Sequence, residues 1–258
     1  MSYINNVHIL VYVIFGLVGI IVGKFFAWVN VRLCEEKKVF SKEFFSANKA
    51  GIKQSYINMI VIACLYIALL AKFGLEDTFI KNLDLIKFLI LSPMLVSAFL
   101  IDLENRIIPN RLNLTIFELG LILTFIYGIN NINLATDMLF GMITGGGIFL
   151  LITLLGGLIA GKEAMGFGDV KFMGAIGLYF GAGTIAQISL LAFFIGAIIS
   201  VIVLFVRIVI LKNKDEYIPF GPFLVVSAIS CIFLPANTVF VLFMTFCGAI
   251  SNKILSLI

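Results

Sequence analysis

Long apolar stretches dominate this chain of 258 residues and constrain its fold more than any other feature. Hydrophobic residues make up 62% of the sequence and charged residues 12%, against about 45–50% and about 25% in soluble domains. A helix that crosses a bilayer needs about 20 apolar residues. Stretches of about that length lie at 7–29, 55–74, 84–101, 112–129, 137–160, 172–188, 189–211, 218–235 and 238–257. The sequence therefore predicts an all-α, polytopic transmembrane helix bundle of about eight to nine spans.

Two boundaries in this assignment stay open. The last stretch, 238–257, either forms a ninth span or lies partly in the membrane interface. The small residues at 181–184 are candidates for the turn between the sixth and seventh spans.

Basic residues occur in alternate loops, and this pattern orients the chain. The loops near residues 75–81 and 130–137 hold one lysine and no basic residue, respectively. Lysine and arginine concentrate in cytoplasmic loops of membrane proteins. The pattern predicts an N-terminus outside and four cytoplasmic loops, at Arg32–Lys53, Asn105–Arg111, Lys162–Lys171 and Arg207–Lys214.

Two aspartates stand at the edges of apolar stretches, where a carboxylate is costly and functional by default. Asp102 ends the third predicted span, and Asp169 begins the sixth, 67 positions later. The predicted orientation places both at the cytoplasmic face, so we expect one shared site. Close carboxylates can hold one proton between them and activate water for peptide hydrolysis. Each aspartate considered alone also has a structural interpretation. Asp169 can serve only as a helix cap, and Asp102 can serve only as the charge partner of Arg106, one turn further along the same helix.

Residues near the aspartates have structural as well as functional interpretations. Gly166 and Gly168 let the backbone approach a substrate or adopt a positive φ. Pro109 breaks the helix after Ile108, which predicts a tight cytoplasmic turn over Arg106–Asn110.

Three charged side chains leave two interpretations open. Arg106 either steadies a carboxylate or anchors the chain at the cytoplasmic face. Glu163 either orients the site or is a solvated loop charge, and Lys171 is either a substrate contact or an anchor.

Cysteine and histidine usage excludes several kinds of site. The four cysteines, at positions 34, 64, 231 and 247, form no Cys-x-x-Cys pair, and three of them lie inside apolar stretches. A structural zinc site needs four grouped ligands, so we expect no metal site. The single histidine, His8, leaves no Ser-His-Asp triad.

Three motifs resemble those of one family. Asp102–Asn110 reads Asp-Leu-Glu-Asn-Arg-Ile-Ile-Pro-Asn and resembles the first aspartate motif of the type IV prepilin peptidases. Glu163–Phe172 looks like their second motif, Gly-x-Gly-Asp, and Ile218–Phe223 is similar to the segment that opens a late span. The motifs follow the family's order.

The resemblance implies a membrane aspartic endopeptidase with Asp102 and Asp169 as the catalytic pair. Its substrates would be type IV prepilin or pseudopilin precursors, which carry a short basic leader ahead of an apolar helix. It implies a bacterial cell membrane location with the active site toward the cytoplasm, lipid as the surrounding partner and no nucleic acid. The residues expected to shape the site or contact substrate are Gly166, Gly168, Arg106, Pro109, Asn110, Glu163 and Lys171.

The N-terminal part is similar to the family only in outline. Val22–Arg32 resembles the end of the first span. In bifunctional members the following loop holds two Cys-x-x-Cys pairs and serves methylation from S-adenosylmethionine. Here it holds Cys34 alone. We therefore divide the chain into a first span with a reduced loop, 1–54, and a peptidase domain, 55–258. We expect neither zinc nor S-adenosylmethionine to be required.

Two other functions remain as alternatives. A presenilin or signal-peptide-peptidase type of protease shares the Gly-x-Gly-Asp loop but would place its aspartates deeper within spans. A small transporter would use both carboxylates as a proton relay, although inverted repeats and interrupted spans are not clear in this sequence.

Overall fold

The computed structural model describes residues 3–4, 7–34, 52–160, 165–205, 218–235 and 237–255. Within these ranges the fold is almost entirely helical, which confirms the predicted class. Two short strands, β1 (Tyr3–Ile4) and β2 (Val7–His8), pair antiparallel ahead of the first helix. The helices are α1 (Ile9–Cys34), α2 (Ile52–Phe73), α3 (Leu83–Asn105), α4 (Asn110–Asn130), α5 (Ile132–Ala160), α6 (Phe167–Phe205), α7 (Gly221–Phe233) and α8 (Thr238–Leu255).

The number of membrane spans is lower than predicted. In the described part of the chain, six helices are long and apolar enough to cross a membrane, and the bent pair α7 and α8 makes a seventh if it is one span. This count takes α6 as one helix. Its 39 residues contain a non-helical break at Gly181, and the sequence pattern predicts two spans there.

Gly181 separates these two spans. Its backbone is non-helical, with φ 75° and ψ 171°. Met173 and Ile185, on opposite sides of Gly181, both lie against Gly145 of α5, so the chain folds back on itself. The N–H of Ala182 then donates to Asp137 Oδ1 over 3.2 Å and caps the returning segment. The reversal falls at the predicted turn.

Small residues bring the helices into close contact. Gly141 of α5 and Gly177 of α6 face each other so closely that a Cβ on either would overlap the other's backbone. On α1, a Cβ on Gly19 or Gly23 would lie 2.6 Å from a Cα of α2. Such contacts hold membrane helices together through van der Waals packing. The packing leaves α3, the most buried of the candidate spans, at the centre of the bundle.

The reversal at Gly181 predicts a stability difference between two neighbouring glycines. A Cβ at Gly181 would overlap the Asp137 carboxylate, and φ is in the left-handed region, so Gly181→Ala should destabilise the protein by about 2 kcal/mol or more. Gly183→Ala, with no atom within 4 Å of the new Cβ, should be neutral or slightly stabilising. Thermal unfolding in detergent measures both, and equal melting temperatures would contradict the assigned reversal.

Candidate active site

Asp102 lies in the last turn of α3 and is only 4% exposed. The helix ends because Arg106 adopts a left-handed conformation with φ 59°, and its N–H donates to the Asp102 carbonyl oxygen over 2.8 Å. The carboxylate itself accepts a hydrogen bond of 2.9 Å from the backbone N–H of Gly221. A buried carboxylate is costly unless hydrogen-bonded, so this contact fixes both its position and its charge environment.

Asp169 lies in the first turn of α6 and is half-buried. Its N–H donates to the Gly166 carbonyl oxygen over 3.0 Å, which closes the turn that starts the helix. The negative carboxylate suits a helix N-terminus. Asp169 and Asp102 are close enough for their carboxylates to repel each other electrostatically. The fold thus brings together the two aspartates that the sequence singles out.

Gly221 is a site residue that the sequence reasoning missed. It begins α7, and a Cβ there would lie 2.5 Å from Asp102 Oδ2, so only glycine fits against this carboxylate. Pro222 occupies the first turn of α7, where proline is favoured because its missing N–H needs no partner there. A glycine followed by proline at the start of a late apolar stretch was the available signal. α7 therefore joins α3 and α6 at the site.

The loop that carries Asp169 is fastened to the start of α4. Asn113 donates its side-chain N–H to the Gly168 carbonyl oxygen over 3.1 Å. A Cβ on Gly168 would lie 3.5 Å from the Ile108 carbonyl oxygen, and one on Gly166 would lie 3.7 Å from Asp169 Oδ2. Both are ordinary contacts, and neither glycine has a positive φ. Of the two alternatives predicted for these glycines, positive φ is therefore excluded, and close approach of a substrate to the backbone is left, with Gly166 exposed.

The predicted turn after Asp102 is present. α3 ends at Asn105, three residues before the predicted break at Ile108, because the left-handed Arg106 already stops the helix. Pro109 is the N-cap of α4, and its carbonyl oxygen accepts the N–H groups of Leu112 and Asn113. The exposed Arg106 thus has a defined backbone role at the end of α3.

Lys171 and Asn110 link α6 to α4. The Lys171 ammonium donates to Asn110 Oδ1 over 2.9 Å and lies 5.3 Å from the centre of the Phe167 ring. Both side chains are exposed. Among the described residues, neither side chain is hydrogen-bonded to Asp169. Glu163 lies outside the described residues.

Among the residues that the structure describes, no three His, Cys, Asp or Glu side chains are grouped to hold a metal ion. The Cys34 sulfur accepts a hydrogen bond of 3.0 Å from the Asn105 side chain, which links the ends of α1 and α3.

Known proteins are similar to the part of the chain that carries both aspartates. The sequence model of the type IV leader peptidase family matches residues 89–201, which include both aspartates. The prepilin leader peptidase/N-methyltransferase of Pseudomonas aeruginosa is 32% identical over 139 residues, covering 54% of this chain and 46% of that protein. The protein of the same name from Xanthomonas campestris is 27% identical over 201 residues, covering 78% and 65%.

A third relative, the prepilin leader peptidase/N-methyltransferase of Aeromonas hydrophila, is 28% identical over 141 residues, covering 54% of this chain and 46% of that protein. The chain thus spans about half the length of such relatives. A comparison with solved structures found no significant match. The family model and the relatives agree, and residues 89–201 of the chain match the type IV leader peptidase family.

Proposed function

We propose that this multi-pass membrane protein is an aspartic endopeptidase that removes the short basic leader from type IV prepilin or pseudopilin precursors. The observation that carries the proposal is the meeting of Asp102 and Asp169, from the end of α3 and the start of α6, in one site. Two adjacent carboxylates supply a base and an acid without any metal.

The hydrogen bond from Gly221 supports a division of roles between the aspartates. An N–H donor at the positive end of α7 favours the ionised carboxylate of Asp102. Among the described residues no N–H donates to the Asp169 carboxylate, and its burial together with repulsion from Asp102 favours its protonated form. We assign the base to Asp102 and the shared proton to Asp169, although their titration belongs to the pair.

The reaction follows from this assignment. Asp102 removes a proton from water while the water oxygen attacks the scissile carbonyl carbon. Asp169 donates its proton toward the carbonyl oxygen, which stabilises the tetrahedral intermediate. The carbon–nitrogen bond then breaks as Asp102 passes the water-derived proton to the leaving amine, and the hydroxyl of the tetrahedral intermediate returns its proton to Asp169 as the carbonyl re-forms. The net consumption is one water per bond, and the pair returns to its original protonation state.

The depth of the aspartates supports a prepilin-type substrate. Both lie in terminal turns of their helices, at the end of the bundle that the basic loops assign to the cytoplasm. A basic leader meets the membrane at this boundary, directly before its apolar helix. An enzyme of presenilin type, which cuts inside an apolar helix, would hold its aspartates further from the helix ends.

The amide substitutions Asp102→Asn and Asp169→Asn test the proposal. Each should reduce cleavage of a pilin precursor in detergent by at least about a thousandfold, because an amide can neither accept nor donate the proton that the replaced carboxyl group transfers. The double variant should be no slower than either single one, since residues acting as a unit are not additive. Mass analysis of the products measures cleavage. Near-normal turnover by either folded variant would contradict the catalytic pair.

Gly221→Ala should impair catalysis by displacing the Asp102 carboxylate. A misplacement of about 1 Å costs on the order of 100-fold in rate, so we expect a fall of that size in kcat. Gly147→Ala, which places a Cβ in open space on α5, is the matched control and should stay near wild type. A normal rate for Gly221→Ala would remove Gly221 from the site.

We also propose that proteolysis requires neither zinc nor S-adenosylmethionine, although the relatives' names include N-methyltransferase. Chelating agents should leave cleavage unchanged. Cys34→Ser, which can still accept from Asn105, should be nearly silent. One tightly bound zinc per chain, lost together with activity, would contradict this expectation.

Thiol labelling tests the proposed orientation of the chain in the membrane. Cysteines replacing Asn105 and Met165, in a background with the native cysteines removed, should react with an impermeant thiol reagent only when the cytoplasmic face is open. A cysteine replacing Asn131, at the other end of α4, should react in intact cells. Labelling of positions 105 and 165 from opposite sides would exclude a shared site, since a hydrocarbon core of about 30 Å would separate them.

A further inference from the structure

Two charged side chains lie well inside membrane spans and face away from the bundle. Lys24 lies ten residues before the end of α1, and Glu118 lies eight residues after the start of α4. Both side chains are exposed. In the described spans, they are the only charged residues more than two turns from an end of their helix. Their position is costly, because the outer surface of a span faces hydrocarbon.

Neither charge has a partner within the part of the chain that the structure describes. No hydrogen bond or ion pair involves Lys24 or Glu118, and the two do not pair with each other. Charged residues inside membranes normally face a bundle interior or a water-filled cavity and are paired there. Glu118 lies about 12 Å along α4 from Asn110, beyond the reach of a glutamate side chain to the membrane surface. The two charges therefore indicate a partner outside this chain.

The hydrogen bond between Asn105 and Cys34 sets the level of Lys24 in the bundle. It joins the last residue of α1 to the last residue of α3 over 3.0 Å. The two helices therefore run in the same direction, with their ends level. Ten residues before these ends, Lys24 on α1 corresponds in depth to Leu95 on α3.

Glu118 lies at nearly the same level. α4 follows α3 after a short turn and runs antiparallel to it, and the Tyr127 hydroxyl donates to Asp84 Oδ1 over 2.7 Å. Nine residues from this contact on each helix, Glu118 corresponds in depth to Pro93. Pro93 and Leu95 are two residues apart, which is about 3 Å along a helix. The two opposite charges thus lie at matching depths.

Each charge lies in an apolar stripe on the lipid-facing surface. On α1, the exposed Leu17 and Ile21 precede the lysine by seven and three residues. On α4, the exposed Ile122 and Phe125 follow the glutamate by four and seven residues. Residues at these spacings share one face of a helix. The two stripes therefore have the same pattern, in opposite chain directions.

We propose that a second copy of this chain binds at these stripes. The stripe of α1 in one copy packs against the stripe of α4 in the other, and Lys24 pairs with Glu118 across the contact. All copies share one orientation in the membrane, so these two helices meet antiparallel, and Ile21 lies opposite Ile122. Interhelical hydrogen bonds and van der Waals packing drive such association in lipid. The contact does not depend on the peptidase function.

The charges favour a second copy over lipid or an unrelated helix. Lipid headgroups lie at the membrane surface, away from the level of both residues. An unrelated helix with one cation would satisfy Glu118 and leave Lys24 unpaired. A second copy supplies both opposite charges, at matching depth and with apolar neighbours at matching spacing. Two such pairs between the same two copies give a closed dimer.

Charge reversal tests the pairing. Two differently tagged copies are expressed together, and association is measured as the fraction of one tag recovered with the other in mild detergent. Lys24→Glu in both copies, or Glu118→Lys in both, should lower association at least about tenfold, because like charges then meet in hydrocarbon. One copy with Lys24→Glu and one with Glu118→Lys should associate about as well as wild type, because each contact again joins opposite charges.

The mixed pair also controls for folding, since two misfolded variants would not restore each other's association. Wild-type association by either variant alone would overturn the pairing. It would also be overturned by wild-type copies that stay apart, or by a mixed pair that stays apart while both variants reach wild-type amounts in the membrane. Recovery of a different membrane protein in place of the second copy would overturn the choice of partner.

Oxidative cross-linking in native membranes tests the geometry. In a background without native cysteines, one tagged copy carries Ile21→Cys and the other Ile122→Cys, and we expect a disulfide between the two tags. In the matched control, Phe140→Cys on α5 replaces Ile122→Cys. Phe140 and Ile122 are 61% and 56% exposed and lie eight residues from Ile132 and Asn130, the outer ends of their helices.

The control pair should form at most about a tenth of the cross-linked product, because a disulfide needs two Cα atoms within about 7 Å. Equal cross-linking of the two pairs, or none between positions 21 and 122, would overturn the assigned faces.

Discussion

A buried carboxylate at the edge of a hydrocarbon layer is the constraint on which this site depends. Asp102 is removed from water at the end of α3 and takes a hydrogen bond from the backbone of Gly221, 119 positions along the chain. That contact requires α7 to begin against α3, and it requires a residue without a side chain at the point of contact. The same carboxylate repels Asp169, so the first turn of α6 brings a second carboxylate to this site.

The glycine contacts between α5 and α6 make this arrangement possible. Close approach of Gly141 and Gly177 locks the first half of α6 against α5, and the reversal at Gly181 sends the second half back along the same helix. The return brings Gly196 against Phe220 and Phe223, beside the start of α7. Backbone packing in the membrane thus determines where two loop-proximal residues, Asp169 and Gly221, come to lie relative to Asp102.

Hydropathy, charge and the proline at 109 predicted the helical class, a turn between Asp102 and Asn110, and the positions of both aspartates at span ends. These features depend on the composition of single segments, which can be read directly from the sequence. The hydrogen bonds from Gly221 to Asp102 and from Asn113 to Gly168 join segments far apart in the chain, and apolar stretches do not reveal which faces meet. Small residues at 181–184 predict the turn between the two spans within α6. The rest of α6 is apolar throughout and gives no other sign of a break.

Proximity of the two carboxylate positions in the membrane tests the central claim most directly. Asp102→Cys and Asp169→Cys are combined in a chain without native cysteines that carries an inserted protease site at Asn131. After treatment with a short bifunctional thiol reagent and proteolysis, the two fragments should remain joined. The control pair Asp102→Cys and Asp137→Cys, with position 137 beside the reversal at Gly181, should separate. Separation of the fragments at 102 and 169, or equal joining in the control pair, would contradict a shared site.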